Sequence, residues 1–319
     1  MISWWEDGWF PEHIIDKHGL ASSDACDWSI QVASSGLYVS EVILGTAGYG
    51  TPKWQDWVLD EEEALPLLEY AFKQGINTWV TADAYSNGLS ETIIGKAPKK
   101  YNITREQVVI LTKVYYAIDP ETQPAISSMV DKTKQHLVNR VGLSREHILD
   151  AVAGSVQRLG TYIDVLQIYR FDRDVCPVEI MRALNDVVNS RQVRYLGASS
   201  MAAWEFQKLQ YIAEKHGWHT FISMPNYYNL LYREEEREMI PLCHDLGRTS
   251  KREGTDRLLK NLVRGKKENV VDEIIVRRVE EFAKKRGVPM ATVACAWCLS
   301  KRVYPITGLS SCARIDQAV

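Results

Sequence analysis

From Tyr38 onward, short β-branched runs alternate with segments whose apolar residues recur at spacings of three and four. The first pattern suits buried strands and the second lines one face of a helix, so the alternation predicts parallel β/α units. Strands are predicted at 41–44, 76–80, 108–112, 163–169, 193–198, 221–224 and 303–306, and helices at 61–74, 147–159, 177–190, 202–216, 234–246 and 290–299. Ser144 is an N-cap in this reading, without a capping box because His147 rather than a glutamate stands three residues on; Pro177 suits a first helical turn. The segment 113–142, containing Y-Y-A-I-D-P-E-T-Q-P, is long for a connection. In a (β/α)8 barrel such loops lie at the carboxyl ends of the strands and shape the substrate pocket.

Only seven strands emerge. After 246 the chain runs G-R-T-S-K-R-E-G-T-D-R, with no apolar run before Leu258. An eight-stranded TIM barrel is therefore expected to lack its seventh strand, leaving two edges whose backbone groups need other partners. Residues 1–33 carry four tryptophans but neither period, and are read as an irregular extension ahead of a barrel at 34–319. The length of 319 residues suits one such domain, since a barrel takes about 250 residues and tolerates insertions.

Composition narrows the partners. Hydrophobic residues at 45% and charged residues at 25% are the balance of a globular chain with a large core. A net charge of -3 with no concentrated basic face argues against nucleic acid and anionic membrane. There is no run of about 18 apolar residues to span a bilayer. The opening M-I-S-W-W-E-D-G-W-F-P lacks a secretion signal's basic start and apolar centre, so a cytoplasmic location is expected. Of six cysteines only Cys295 and Cys298 are close, with no second pair or paired histidines, and are read as core residues. His216, His219 and His244 show no metal-ligand spacing, so no metal is assigned. The run R-E-E-E-R at 233–237 is read as a solvated helix face.

Seven short motifs occur in a fixed order, each at or just beyond the carboxyl end of a predicted strand. They are S-S-G-L-Y-V-S-E-V-I-L-G-T at 34–46, T-A-D-A-Y-S-N-G-L-S-E at 81–91, I-L-T-K at 110–113 and R-L-G-T-Y-I-D-V-L-Q-I at 158–168. R-Y-L-G-A-S-S-M at 194–201, N-Y-Y-N-L-L at 226–231 and P-I-T-G-L-S-S at 305–311 complete the set. Together they resemble the aldo-keto reductases, and within them the fungal aryl-alcohol dehydrogenase-like branch, over about residues 34–319. The resemblance implies a barrel that uses NADPH to reduce a small hydrophobic aldehyde or ketone, or to oxidise the alcohol, in a fungal secondary-metabolic step.

The resemblance also implies site residues. Tyr85 matches the family's proton donor, and Lys113 the lysine whose ammonium favours the phenolate and so makes the phenol a better acid. Gly45 and Thr46 match the turn under the nicotinamide, and Ser199 and Ser200 the pair that holds its carboxamide. Gly308, Ser310, Ser311 and Arg314 resemble the residues that bind the adenosine 2'-phosphate, where backbone donors and an arginine suit a dianion. Three positions depart from the pattern. The aspartate that pairs with the lysine is Val80, the histidine that orients the carbonyl is Tyr169, and the glutamine after the sixth strand is Pro225, which has no amide side chain and no N–H. Asp83 is expected to face away from the side that Val80 occupies.

Removing one partner of a buried ion pair commonly costs about 3–5 kcal/mol, so weakened carbonyl reduction is expected. The alternative is a related barrel without hydride transfer, either a binding or regulatory protein or a non-redox enzyme.

Overall fold

The computed structural model describes residues 29–32, 34–119, 135–247, 249–252 and 268–319. Strands β1 (Ser29–Gln31) and β2 (Tyr38–Ser40) form an antiparallel hairpin. The following strands are β3 (Ile43–Gly45), β4 (Thr78–Val80), β5 (Val109–Val114), β6 (Ile163–Ile168), β7 (Val193–Ala198), β8 (Phe221–Asn226), β9 (Thr249–Arg252) and β10 (Tyr304–Gly308). They pair in parallel in that order, and β10 returns to β3 to close a barrel. Around it run α1 (Glu61–Lys73), α2 (Leu89–Lys100), α3 (Arg145–Leu159), α4 (Pro177–Asn189), α5 (Ala203–His216), α6 (Met239–Asp245), α7 (Glu268–Arg286), α8 (Met290–Ser300) and α9 (Cys312–Asp316).

The barrel class agrees with the sequence reading, and the expected seventh-strand gap is corrected in one respect. No apolar strand follows α6, but the polar run Thr249–Arg252 takes the seventh place, pairing with Ser223 through Asn226 of β8 and with Tyr304 and Pro305 of β10. Ladder hydrogen bonds use the backbone alone, so a strand can form where no hydrophobic period announces it. One pairing spans position 33, where the sequence reading places its boundary. Ser29–Gln31 pair antiparallel with Tyr38–Ser40 in a two-stranded sheet separate from the barrel's own strands. Residues 1–28, the polar stretch 253–267 and residues 120–134, which the sequence reading assigns to a long connection, lie outside the described residues.

Strand alternation divides the core in two. Val109 and Leu111 of β5 and Val165 of β6 join Ile43, Val80, Ile222 and Ile306 in a cluster inside the barrel. Ile110, Val114, Leu166 and Ile168 face the other way and pack under the helices. Val32 and Val39 belong to the inner cluster, and the Ser40 N–H donates to the Thr78 hydroxyl at 2.9 Å, so the hairpin closes the floor at the amino ends of the strands. The carboxyl ends are left for the long loops.

Helix ends follow local chemistry. Asp60 caps α1 in a capping box with Glu63, and Ser144 caps α3 by accepting from the His147 N–H, as the sequence predicts. Three helices were not predicted, α2, α7 and the short terminal α9. The first, α2, contains Gly95 and Pro98, which read as breakers; a β-carbon at Gly95 would stand 2.3 Å from the Leu159 carbonyl oxygen, so the glycine lets α2 lie close against the end of α3. The second, α7, leaves Val271 and Ile274 exposed, which breaks the apolar stripe.

The helix predicted at 234–246 splits into a 3-10 turn, Glu234–Glu236, and the short α6. The run R-E-E-E-R, read as a solvated helix face, is exposed or half-buried throughout, but its helical part is only this 3-10 turn. Glu236 accepts from the Tyr228 hydroxyl and from Arg233, both at 2.6 Å, and burial together with Glu234 pushes the Glu235 carboxyl up to about 7. Cys295 and Cys298 are buried in α8, as expected.

Candidate active site

Beyond β4 the chain stays in register with β5 for three more residues, the Thr81 N–H donating to the Leu111 carbonyl (2.8 Å) and the Asp83 N–H to the Lys113 carbonyl (3.2 Å). It then enters a 3-10 turn, Tyr85–Gly88, in which Ser86, Asn87 and Gly88 have φ of 47°, 54° and 92°. Three successive left-handed residues reverse the chain directly after Tyr85. Lys113 shares the inward face of β5 with Val109 and Leu111 and is 1% exposed. Its ammonium donates to the half-buried Tyr85 hydroxyl at 3.3 Å and to the Thr81 carbonyl at 3.2 Å. The two residues identified separately from their motifs thus meet at the carboxyl end of the barrel.

Aromatic rings wall this pair. Tyr169 follows β6, and its ring centre lies 5.6 Å from the Lys113 Nζ, while that of Tyr85 lies at 5.1 Å. Tyr116 meets Tyr169 edge-on at 5.1 Å and Tyr115 at 5.2 Å; Trp54 lies 6.3 Å from Tyr85. The Arg170 guanidinium stands within 6 Å of the Tyr115, Tyr116 and Tyr169 rings. Val80 is buried in the inner apolar cluster, so this position contributes packing where the resemblance would place a carboxylate.

Asp83 takes no part in that wall. Its carboxyl is fully buried, with Oδ1 lacking a partner, and it shares its surroundings with Glu91 and Arg158. Glu91 accepts from Arg158 Nε at 2.7 Å and from the Thr112 hydroxyl at 2.5 Å. Two acids therefore face one guanidinium, and desolvation, reinforced by Glu91, raises the Asp83 pKa well above the carboxylate range. A carboxyl whose folded-state pKa is raised stabilises fully only below its unfolded value of about 3.9, and loses that contribution as pH climbs through the folded value. The uncharged Asp83→Asn variant escapes this loss. Its urea midpoint is expected to match the parent's near pH 4 and to exceed it increasingly toward pH 8; a gap independent of pH would show that Asp83 is ionised when folded.

The positions matched to the nucleotide are grouped at the same rim. Gly45 pairs with Gly308 across β3 and β10, and a β-carbon at Gly45 would meet Ile306 at 3.1 Å. The Thr46 hydroxyl is buried, donating to the Val80 carbonyl at 3.1 Å and lying 3.0 Å from the Ser90 hydroxyl. The Ser199 and Ser200 hydroxyls lie 3.2 Å apart, and the Ser200 N–H donates to the Pro225 carbonyl at 3.1 Å. Next to Pro225, the Asn226 amide nitrogen is buried without a partner, a spare donor beside the serine pair. Gly308 has open space where a β-carbon would stand, Arg314 donates to the Ser310 hydroxyl at 3.1 Å, and Ser311 caps α9. Exposed donors around a glycine with open space, and an orphaned buried amide by the serines, fit a dinucleotide.

The Glu91–Arg158–Thr112 network and the contacts of Asn87 escaped sequence reasoning. Glu91 and Asn87 both lie in the motif at 81–91, yet their partners are 67 and 32 residues away. Among the described residues no three metal-ligating side chains cluster, and no helix is long and apolar enough to cross a membrane.

Within this closed parallel barrel, which pairs a phenol and an ammonium at its carboxyl rim, residues 41–319 match the model of the aldo/keto reductase family; the chain belongs to that family. It is similar to the versiconal hemiacetal acetate reductase of Aspergillus parasiticus, with 56% identity over 91% of this chain and 90% of the relative. It is also similar to a Schizosaccharomyces pombe protein described as a candidate aryl-alcohol dehydrogenase, with 46% identity over 90% of this chain and 89% of the relative. A crystal structure of the thermostable aldo-keto reductase Tm1743 with the inhibitor epalrestat superposes with a TM-score of 0.71, at 23% identity, over 91% of this chain and 92% of the other, and supports the fold. The chain is a carbonyl-reducing oxidoreductase by family, in the fungal aryl-alcohol dehydrogenase-like branch.

Proposed function

We propose that this protein reduces a small, largely apolar aldehyde or ketone with NADPH, in the cytoplasm and as a step of fungal secondary metabolism. The observation that carries this reading is the 3.3 Å contact between the Lys113 ammonium and the Tyr85 hydroxyl, set among tyrosine and tryptophan rings. Bound NADPH supplies the hydride. Tyr85 gives its proton to the carbonyl oxygen as negative charge develops there, and Lys113 stabilises the phenolate left behind. The Tyr169 hydroxyl is a second donor for that oxygen, in the place where the family pattern has histidine. Ser199, Ser200 and Asn226 would hold the carboxamide, and Ser310, Ser311 and Arg314 the 2'-phosphate. Without a carboxylate at 80 the pair works below the rate its geometry would otherwise allow.

Titrating the protein with NADPH while following nucleotide fluorescence, then adding an aromatic aldehyde, tests the reading. Saturable binding followed by one alcohol formed per NADPH consumed is expected. No binding at millimolar nucleotide would sink it. The placement of Val80 in the apolar cluster favours one other reading, a barrel that binds a carbonyl compound without hydride transfer. In that case the aldehyde binds and NADPH is not consumed.

A further inference from the structure

We infer that Asn87 is a positioning residue for the Tyr85–Lys113 pair, acting as a clasp between the turn that carries the phenol and the loop that leaves the lysine's strand. The inference rests on the reading above that these two residues react together. The Asn87 side chain donates from Nδ2 to the Asp119 carbonyl at 2.7 Å and accepts from the Asp119 N–H at 3.0 Å. One amide thus satisfies both backbone groups of a residue 32 positions away, as a rung of a sheet would. Asp119 is itself buried, with its carboxylate 3.2 Å from the His136 ring, so the clasp closes on a fixed point.

The arrangement forms a ring. The backbone runs from Lys113 to Asp119, the clasp returns to Asn87, two residues lead back to Tyr85, and the phenol meets the Lys113 ammonium. The Asp83 N–H to Lys113 carbonyl bond braces the same ring from the other side. The turn needs bracing, because Ser86 and Asn87 hold a left-handed backbone that L-residues rarely adopt. Its opposite flank is also held. The Ser86 hydroxyl accepts from the Thr51 N–H at 3.2 Å, and a β-carbon on Gly50 would lie 2.0 Å from that oxygen. Asparagine meets both demands at position 87, tolerating the left-handed conformation and carrying one donor and one acceptor. Glycine tolerates the conformation and lacks the clasp.

That difference supplies the test. Asn87→Gly is expected to lose a few degrees of thermal midpoint, because the Asp119 backbone groups lose their partner, and to keep NADPH affinity close to the parent's, while kcat for an aldehyde falls about 10- to 100-fold, as small misplacements of reacting groups do. Asn87→Asp keeps the acceptor and loses the donor, and is expected to fall between the two. A readout independent of turnover places 3-fluorotyrosine at position 85 and follows its ionisation by fluorine NMR. In Asn87→Gly the midpoint should move about one unit toward that of Lys113→Met, because the ammonium no longer holds the phenolate. An unchanged midpoint in Asn87→Gly overturns the inference, as does a parallel fall of kcat, nucleotide affinity and thermal midpoint, which marks a general structural role. A shifted midpoint in a protein that turns over no carbonyl keeps the clasp and refutes the reductase reading instead.

Discussion

Tyr85→Phe is expected to lower kcat for an aldehyde substrate about 100-fold or more, with NADPH affinity within roughly twofold of the parent. The size follows from the role: a positioned proton donor contributes about 10²–10⁴-fold, and phenylalanine keeps the ring while deleting only the group that donates. The packing against Trp54 should survive, since the ring centres lie 6.3 Å apart and the contact does not use the hydroxyl. Lys113→Met should cost a similar factor, because its ammonium reaches the substrate only through the Tyr85 hydroxyl 3.3 Å away. The double variant should be little worse than either single one, as groups acting as a unit are not additive. Steady-state rates of the three variants with equilibrium nucleotide titrations decide the matter. If Tyr85→Phe retains more than a third of the parental kcat while Lys113→Met is inactive, the proton comes from elsewhere, and Tyr169 is the nearest replacement. A multiplicative loss in the double variant would mean that the two residues serve separate steps.

The sequence made the barrel legible because its inner and outer faces are both apolar, and such strands stand out as β-branched runs. All seven predicted strands overlap observed ones; the first two begin two residues too early, and those matching β5, β8 and β10 end two residues too soon. What it hid has physical causes. Strand β9 is held by backbone pairing and shows no period; α2 tolerates Gly95 because a neighbouring carbonyl needs the room; α7 presents apolar side chains outside its core-facing stripe. The candidate site was legible as positions, since Tyr85 and Lys113 each sit in a recognisable motif. Its supports were not, because the Asn87–Asp119 clasp and the Arg158–Glu91–Thr112 network join residues that only the barrel's closure brings together.

Restoring the two departed groups together, Val80→Asp with Tyr169→His, is expected to raise kcat about 10- to 100-fold, which corresponds to roughly 1.4–2.8 kcal/mol of barrier. The geometry favours a gain. Val80 pairs with Leu111 on the neighbouring strand, and Lys113 lies two residues further along the same inward face, so a carboxylate at 80 would sit one layer below the ammonium. Breaking such a buried pair commonly costs about 3–5 kcal/mol, and restoring it should return part of that as tighter control of the phenol. Val80→Asp alone should gain less, because Tyr169 stays packed edge-on against Tyr116 and leaves the carbonyl without an imidazole donor. Stability pulls in the opposite direction, for the new carboxylate replaces a methyl-bearing side chain within the apolar cluster that holds Ile43, Val109 and Leu111. The urea midpoint should therefore fall in Val80→Asp and fall further in Val80→Asp with Lys113→Met, where the charge has no partner. Rates that stay flat in the double restoration, with NADPH still bound, would show that the missing carboxylate and imidazole do not limit turnover, and would shift attention to the rim closed by the polar strand β9.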